Sequence, residues 1–185
     1  MNFNNHSDLE GKHAFLGASK YHWLGYDQDK VAQVYLNQMA VAYGTRLHAL
    51  AKELIELRIK LPKSKKSLNE YVNDAIGYRM KPEVVLFYSY NCFGTTDAIA
   101  FSKNLLRIHD FKSGSNPASM KQLLIYDALF CLEYGVDPFS IDFENRLYQL
   151  DEVTVCNPTG EDIKPIMEKI VEFDKIIESI KAGER

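Results

Sequence analysis

Residues 83–91 (EVVLFYSYN), 93–101 (FGTTDAIAF) and 104–111 (NLLRIHDF) decide the fold class of this chain. All three segments are rich in β-branched and aromatic residues, which favour extended strands. Because only very short breaks separate them, they predict three sequential strands that form an antiparallel meander. This meander is the central part of the predicted fold, and the rest of the chain is interpreted around it.

Helical periodicity and two further strand patterns surround the meander. Pro117 is expected to open a helix that Gly135 ends. The order of helix, three strands, helix and strand predicts an α/β fold, with a central mixed β-sheet flanked by helices. The predicted helices cover residues 28–59, 67–79, 117–133 and 160–182, and the two further strands cover residues 139–149 and 151–156.

Composition places the chain among ordinary globular proteins, with 185 residues, of which 46% are hydrophobic and 25% charged. This length predicts one domain over residues 1–185, divided into a lead-in (1–27), a core (28–156) and a C-terminal helix (160–182). No apolar run has the length of a membrane span, and residues 1–10 lack an apolar signal core, so we expect a cytoplasmic protein without a membrane partner. The formal charge of −3 neither supports nor excludes binding to nucleic acid.

The three cysteines argue against two kinds of site. Cys92, Cys131 and Cys156 are far apart and odd in number, which excludes a CxxC pair and a disulfide framework. They are also too few to hold a four-cysteine iron–sulfur cluster. Buried or unreactive thiols are therefore the preferred interpretation.

Two acidic residues interrupt apolar strand faces. Side chains alternate along a strand, so Asp110 and Lys112 continue the face of Leu106 and Ile108. Asp97 lies in a second such row, with Phe93, Thr95, Ile99 and Phe101. If the two strands are antiparallel neighbours, the two carboxylates converge beside the Lys112 ammonium. The alternative is that Asp97 begins a turn and that Asp110 and Lys112 form a surface ion pair.

Converging carboxylates beside a lysine have a clear chemical use. Hard divalent cations prefer oxygen ligands and tolerate retained water. A bound cation polarises a phosphodiester and lowers the pKa of a bound water, and a lysine can orient that water or stabilise charge that develops on the phosphate. The pattern of Asp97, Asp110 and Lys112 therefore indicates metal-dependent hydrolysis of phosphodiesters.

Two helices add polar groups on apolar stripes. His48 lies on the stripe of Leu47, Ala51 and Ile55, so it is either a core histidine or a nitrogen ligand that favours Mn²⁺ over Mg²⁺. Gln122 and Tyr126 stand one turn apart on the stripe of the helix that follows the meander. They either close the core or point toward a metal centre.

Four motifs in this order resemble those of RecB-type nucleases in the PD-(D/E)XK superfamily. They are Gly44-Thr45-Arg46-Leu47-His48, Gly94-Thr95-Thr96-Asp97, Asp110-Phe111-Lys112 and Gln122-Leu123-Leu124-Ile125-Tyr126. The resemblance covers roughly residues 19–150. Because the chain lacks the four cysteines of the cluster-bearing members, it looks closer to the phage lambda-type exonucleases.

The resemblance implies a restriction-endonuclease-like αβββαβ core and a role for each matched residue. His48, Asp97, Asp110 and the backbone carbonyl of Phe111 resemble the ligands of Mg²⁺ or Mn²⁺. Lys112 resembles the catalytic lysine. Gln122 and Tyr126 resemble the helical motif that steadies the site and the DNA, and they complete, with Asp97, Asp110 and Lys112, the implied catalytic set.

Substrate contacts are expected outside the acid centre. Arg46, inside the histidine motif, is the preferred phosphate contact, and Ser19 and Lys20 are further candidates for binding a phosphate. Trp23 is more simply interpreted as a packed residue than as a stacking surface. Four lysines in a connector either contact phosphates or are solvated, namely Lys60, Lys63, Lys65 and Lys66.

The leading hypothesis is a metal-dependent deoxyribonuclease, an exonuclease that resects duplex DNA ends in phage or bacterial recombination and repair. The exonuclease activity, a strand-annealing partner, a homo-oligomer and a bacterial host cytoplasm are implied by the resemblance alone. The alternatives are an inactive nuclease-fold protein that acts as a binding module or inhibitor, and a structural α/β domain. The structural alternative predicts that His48, Asp97 and Asp110 lie far apart.

Overall fold

The structure is a computed structural model that describes residues 3–183. The chain divides into two compact units, Met1–Tyr43 and Gly44–Arg185. The helices are two short 3₁₀ helices, Ser7–Leu9 and Ala18–Gly25, and four α-helices, α1 (Gln28–Glu56), α2 (Ser67–Gly77), α3 (Lys121–Tyr134) and α4 (Gly160–Lys181). The strands are β1 (Lys81–Ser89), β2 (Cys92–Ser102), β3 (Leu105–Phe111), β4 (Asp142–Gln149) and β5 (Glu152–Cys156).

The five strands form one open sheet in the order β1-β2-β3-β4-β5. β1, β2 and β3 form an antiparallel meander, β4 runs parallel to β3, and β5 is antiparallel to β4. A parallel neighbour requires a crossover connection, and α3 lies between β3 and β4 in the chain. The predicted α/β fold with a mixed sheet flanked by helices is therefore confirmed.

Two hydrophobic clusters hold the helices against the sheet. One joins α3 and α4 to the sheet and includes Leu106, Ile108, Leu123, Leu129 and Ile163. The other joins α2 and the second half of α1 to the sheet and includes Ala51, Val72, Ala75, Phe111 and Tyr148. Burial of these side chains provides the main driving force for folding of the unit Gly44–Arg185.

The unit Met1–Tyr43 has no buried residue among its described positions 3–43. Trp23 is half-buried, and its indole N–H donates a hydrogen bond of 3.0 Å to the carbonyl of Gly17. This agrees with the interpretation of Trp23 as a packed residue. The 3₁₀ helix that contains Trp23 begins at Ala18, after Gly17, and no side chain caps it.

Several predicted boundaries need correction. Pro117 does not open a helix: it lies in a loop, and α3 begins at Lys121. Gly135 does end that helix, with the left-handed backbone (φ 63°) that glycine adopts without steric cost. Pro82 lies inside β1, which an edge strand tolerates because proline lacks only an outward N–H.

The shared face expected along β2 is also interrupted. A Cβ added to Gly94 would approach the Tyr126 ring of α3, so Gly94 faces that helix. Ile99 and Phe101 pack on the same side, although they lie five and seven positions after Gly94. Strict alternation would place them on opposite faces, so the strand changes side between Gly94 and Ile99. Glu83 of β1, opposite this part of β2, has a left-handed backbone (φ 48°).

None of the helices within residues 3–183 combines the length and the apolar composition that crossing a bilayer requires.

Candidate functional site

The candidate site lies where β2 and β3 part. Ala98–Ser102 of β2 pair with Leu105–His109 of β3. Continuing that register by one residue places Asp97 opposite Asp110. Beyond this point β3 is held by β4, because Phe111 pairs with Tyr148 and the Lys112 N–H donates 3.0 Å to the Tyr148 carbonyl. The two acidic residues therefore lie at opposite positions of a fork in the sheet, close enough for the charge of Asp97 to act on the pKa of Asp110.

Asp97 bridges the fork. Its Oδ2 accepts a hydrogen bond of 2.8 Å from the backbone N–H of Phe111, a donor that the parting strands leave without a ladder partner. The same oxygen lies 3.5 Å from Nδ1 of His48 on α1. The hydrogen bond that the imidazole donates to Asp97 raises the pKa of His48, and partial burial of the imidazole opposes this shift. His48 is thus a partner of Asp97 and not an isolated core histidine.

Gly44 explains why α1 reaches the fork. It is buried, and a Cβ at this position would lie 2.7 Å from the Oγ of Ser113, just after Lys112. The helix backbone therefore rests directly against the loop that follows β3. His48 lies one turn later on the same face of α1, which carries its imidazole to Asp97.

Asp110 is the deepest charge of the site, only 1% exposed. Burial, and then the charge of Asp97, raise its pKa to about 6, while Lys112 opposes this shift. Lys112 Nζ lies 2.9 Å from Oδ2 and 3.1 Å from Oδ1, but only the contact with Oδ1 has hydrogen-bond geometry. Among residues 3–183, Oδ2 therefore has no hydrogen-bond donor although it is buried. Burial of such an oxygen is costly, and the Lys112 ammonium offsets this cost by its charge and not by a hydrogen bond.

A chain of hydrogen bonds runs from Lys112 to β2 through α3. Lys112 Nζ donates to Oε1 of Gln122 (3.0 Å), and Nε2 of Gln122 donates to the hydroxyl of Tyr126 (3.0 Å). That hydroxyl donates to the carbonyl of Thr95 (2.6 Å). One turn of helix separates Gln122 from Tyr126, so both reach the same fork. The two residues fix the lysine and tie α3 to the strand that carries Asp97.

Gly94 makes room for this chain. A Cβ at Gly94 would lie 2.9 Å from a ring carbon of Tyr126, closer than Cβ atoms normally approach other atoms. The ring therefore packs on the bare backbone of β2 and places its hydroxyl at the next residue, Thr95. The sequence motif contained this glycine, but its packing role could not be inferred before the partner ring was known.

Lys52 and Glu83 form an ion pair at the rim that the sequence interpretation missed. Lys52 Nζ lies 2.8 Å from Oε2 of Glu83. Lys52 follows His48 by one helical turn, and continuing the register of β1 and β2 places Glu83 opposite Asp97. The helical spacing was a usable signal for Lys52. The left-handed backbone of Glu83 was not visible in the pattern.

Of the three predicted substrate contacts, Arg46 belongs to the same unit as the cluster, and Ser19 and Lys20 belong to the other unit. Arg46 is exposed on α1, but residues two apart on a helix point to different sides, so it does not share the face of His48. Ser19 and Lys20 are exposed in the other unit, Met1–Tyr43. The ring of Phe111 is buried beside Tyr71, and the role of its carbonyl remains a prediction.

The cluster supplies few protein donors for a metal. Within residues 3–183, no three side chains of His, Cys, Asp or Glu come close enough to hold an ion by themselves. The two carboxylates are engaged by other groups: Asp97 contacts His48 and the Phe111 N–H, and Asp110 contacts Lys112. A cation that keeps part of its water shell needs fewer protein ligands, and Oδ2 of Asp110, which is ion-paired with Lys112 but accepts no hydrogen bond, fits one such ligand.

Comparisons with known proteins give no family assignment. The chain matches no protein-family model, no curated protein and no solved structure.

Proposed function

We propose that this chain is a metal-dependent DNA nuclease with a PD-(D/E)XK core. The observation that carries the proposal is the meeting of Asp97, Asp110 and Lys112 at the fork between β2 and β3, with His48 and the Gln122–Tyr126 pair around them. Two acids from neighbouring strands and a lysine two residues after one of them form a set suited to phosphodiester hydrolysis. The assignment as an exonuclease rests on the resemblance alone.

Asp97 and Asp110 would hold Mg²⁺ or Mn²⁺, with His48 next to Asp97 as a further donor. When bound, the cation supplies polarisation of the phosphodiester and a lowered pKa for water. Lys112 is held by Asp110 and Gln122, so its ammonium has a fixed position for orienting the attacking water or stabilising charge on the phosphate. Tyr126 keeps Gln122 in place through its own bond to β2.

Cleavage of linear and circular duplex DNA, and of RNA, in Mg²⁺ or Mn²⁺ tests the activity. We expect degradation of linear DNA only, since an exonuclease needs an end, whereas cutting of the circle would identify an endonuclease.

Lys112→Met is expected to lower kcat by about a hundredfold or more because a fixed positive charge is lost at the phosphate. Lys175→Met, an exposed lysine on α4, is the matched control and should behave like wild type. Absence of cleavage in every combination would defeat the proposal.

Calorimetric titration with Mn²⁺ separates a working site from an inactive nuclease-fold binding protein. The wild-type chain should bind the ion, and Asp110→Asn, which keeps the side-chain shape but removes the charge, should abolish binding. Thermal unfolding of the variant confirms that it remains folded. An unchanged titration for Asp110→Asn would remove this aspartate from the metal site.

A further inference from the structure

The outer face of the β1–β2 hairpin is aromatic and exposed. Phe87 of β1 is paired with Phe93 of β2, and their side chains are 38% and 60% exposed. Tyr90, in the turn between the strands, is 89% exposed. The Phe87 ring centroid lies 5.5 Å from that of Tyr90 and 6.3 Å from that of Phe93, so the three rings form one surface, which we call the aromatic platform.

The platform continues toward the acid centre. Gly94 faces Tyr126 on α3, whereas Asp97 contacts His48 on α1, so Asp97 lies on the opposite side of β2 from Gly94. Alternation places Phe93 and Thr95 on that same side. At roughly 3.3 Å per residue, Phe93 is about 13 Å from Asp97 along the strand. A ligand lying along this face would therefore reach from the rings to Asp97, at the fork between β2 and β3.

The strand edge beside the platform is blocked against another strand. Pro82 of the edge strand β1 has no N–H, and Glu83 has a left-handed backbone. The N–H of Phe87 is occupied by Oε2 of Glu133 at 2.8 Å. These features are devices that discourage pairing between sheets of separate chains. A partner can therefore contact the exposed rings of the hairpin, but it cannot pair with the backbone of its edge strand.

The hairpin is fixed to α4 on its other side. Ser89 and Asn91 donate hydrogen bonds to Asp174 (2.5 and 2.8 Å), and Asn91 also donates to Glu178 (2.6 Å). Lys181 donates to the amide oxygen of Asn91 (2.5 Å). A surface that is already fixed loses little conformational entropy when it binds a ligand. These contacts with α4 hold the hairpin, and with it the three exposed rings, in one position.

We propose that the aromatic platform binds the unpaired bases of single-stranded DNA and leads that strand along β2 to the acid centre. This inference rests on the proposed function and specifies its substrate. Aromatic rings bind bases by stacking, whatever the sequence. In a duplex the base faces are already stacked on one another, so only unpaired bases can use the platform. The length from Phe93 to Asp97 corresponds to about four stacked nucleotides at roughly 3.4 Å each.

Fluorescence anisotropy with a labelled oligodeoxythymidine tests the platform. The measurements use the Asp110→Asn chain without added metal, so that the probe stays intact. On that background, Phe93→Leu and Phe87→Leu keep the apolar character but lose the flat ring, and each should weaken binding about tenfold. Phe93→Trp should preserve it. Phe173→Leu on α4, a phenylalanine 52% exposed on another surface, is the matched control and should bind the probe like the parent chain.

A relaxed, covalently closed circular duplex, which has no unpaired bases and competes with the labelled probe, serves as the second probe, and its affinity should be the same in all these chains. Unchanged oligodeoxythymidine affinity in Phe93→Leu, or an equal loss with the closed duplex, would overturn the platform. So would a shift from dimer to monomer in Phe93→Leu with unaltered probe affinity, since the rings would then contact a second copy of the chain. The cleavage assay judges the nuclease proposal separately: activity lost in Lys112→Met but probe affinity unchanged in Phe93→Leu would overturn the platform alone.

Discussion

Gly94 is the residue at which β2 and α3 come closest in the candidate site, and it allows a direct test of the Tyr126 arrangement. Gly94→Ala places a methyl group 2.9 Å from the Tyr126 ring, which must move. We expect a loss of about 1–3 kcal/mol in the free energy of unfolding, as for other overpacked positions. Cleavage should fall as well, because Tyr126 positions Gln122 and, through it, Lys112. Urea unfolding and the DNA cleavage assay measure the two effects.

Gly77→Ala is the control for this substitution. Gly77 is the last residue of α2, and a Cβ there meets no atom within 4 Å. The variant should retain wild-type activity and stability, or gain slightly, because alanine favours helix more than glycine does. If Gly94→Ala were as active as wild type, Tyr126 would have no part in positioning Lys112.

At the scale of elements, α3 is tied to β4 by a buried acid and amide. Nδ2 of Asn145 donates 2.6 Å to Oδ2 of Asp127, while Oδ1 of each residue is buried without a donor among residues 3–183. Burial raises the pKa of Asp127 to about 7, and the hydrogen bond from Asn145 partly opposes the shift. Protonation supplies the donor that this pair of oxygens lacks. Asp127 is therefore mostly neutral below pH 7 in the folded chain.

This pair predicts a loss of stability as the pH rises. The pKa of Asp127 is 3.8 in the unfolded chain and about 7 when folded, so between these values the folded state binds more protons. The free energy of unfolding should fall across pH 4–7, by up to about 4 kcal/mol from this group. Asp127→Asn, neutral at every pH, should remove that fall and be more stable than wild type at pH 8. Urea unfolding at several pH values measures both chains.

His109 must be considered in the same experiment. Burial lowers its pKa to about 3, so the folded state binds fewer protons between pH 3 and 6.5, and its contribution to stability rises with pH over this range. The prediction therefore concerns the difference between Asp127→Asn and wild type, in which the His109 contribution cancels. If the free energies of unfolding of the two chains changed in parallel from pH 5 to pH 8, ionisation of Asp127 would not destabilise the folded chain.

The sequence predicted the elements better than their boundaries and local exceptions. The position of Asp97 opposite Asp110 was predictable, because a meander with short turns allows few registers. The side of Asp97 was not, because β2 changes side before Ile99. The start of α3 was mispredicted because Pro117 was interpreted as a helix start, although a proline also suits a loop before a helix. The change of side along β2 occurs near Asp97, opposite Glu83, and no composition signal distinguishes a left-handed glutamate from an ordinary one.

At the scale of the whole molecule, both hydrophobic clusters and the candidate site belong to the unit Gly44–Arg185. The two clusters lie on the two sides of one sheet, and the fork with Asp97 and Asp110 opens at the end of the pairing between β2 and β3. Opening a sheet at one point exposes strand ends and unsatisfied backbone groups that polar side chains can use. The fold therefore combines a rigid support with a local break that supplies the proposed chemistry.

Removal of residues 1–26 tests whether this segment contributes to stability, to metal binding or to DNA binding. Asp27 is kept because its Oδ1 accepts the N–H of Lys30 (2.7 Å) at the start of α1. Since none of the described residues 3–26 is buried, the thermal midpoint and the Mn²⁺ affinity should stay near wild type. Affinity for DNA should fall, with a shallower salt dependence, if Ser19 and Lys20 contact phosphate as predicted. Ser19→Ala with Lys20→Ala in the full chain should reproduce that fall. DNA affinity equal to wild type in both chains would remove these two residues from the substrate site, and a large drop in the thermal midpoint would show that the first 26 residues belong to the folded core.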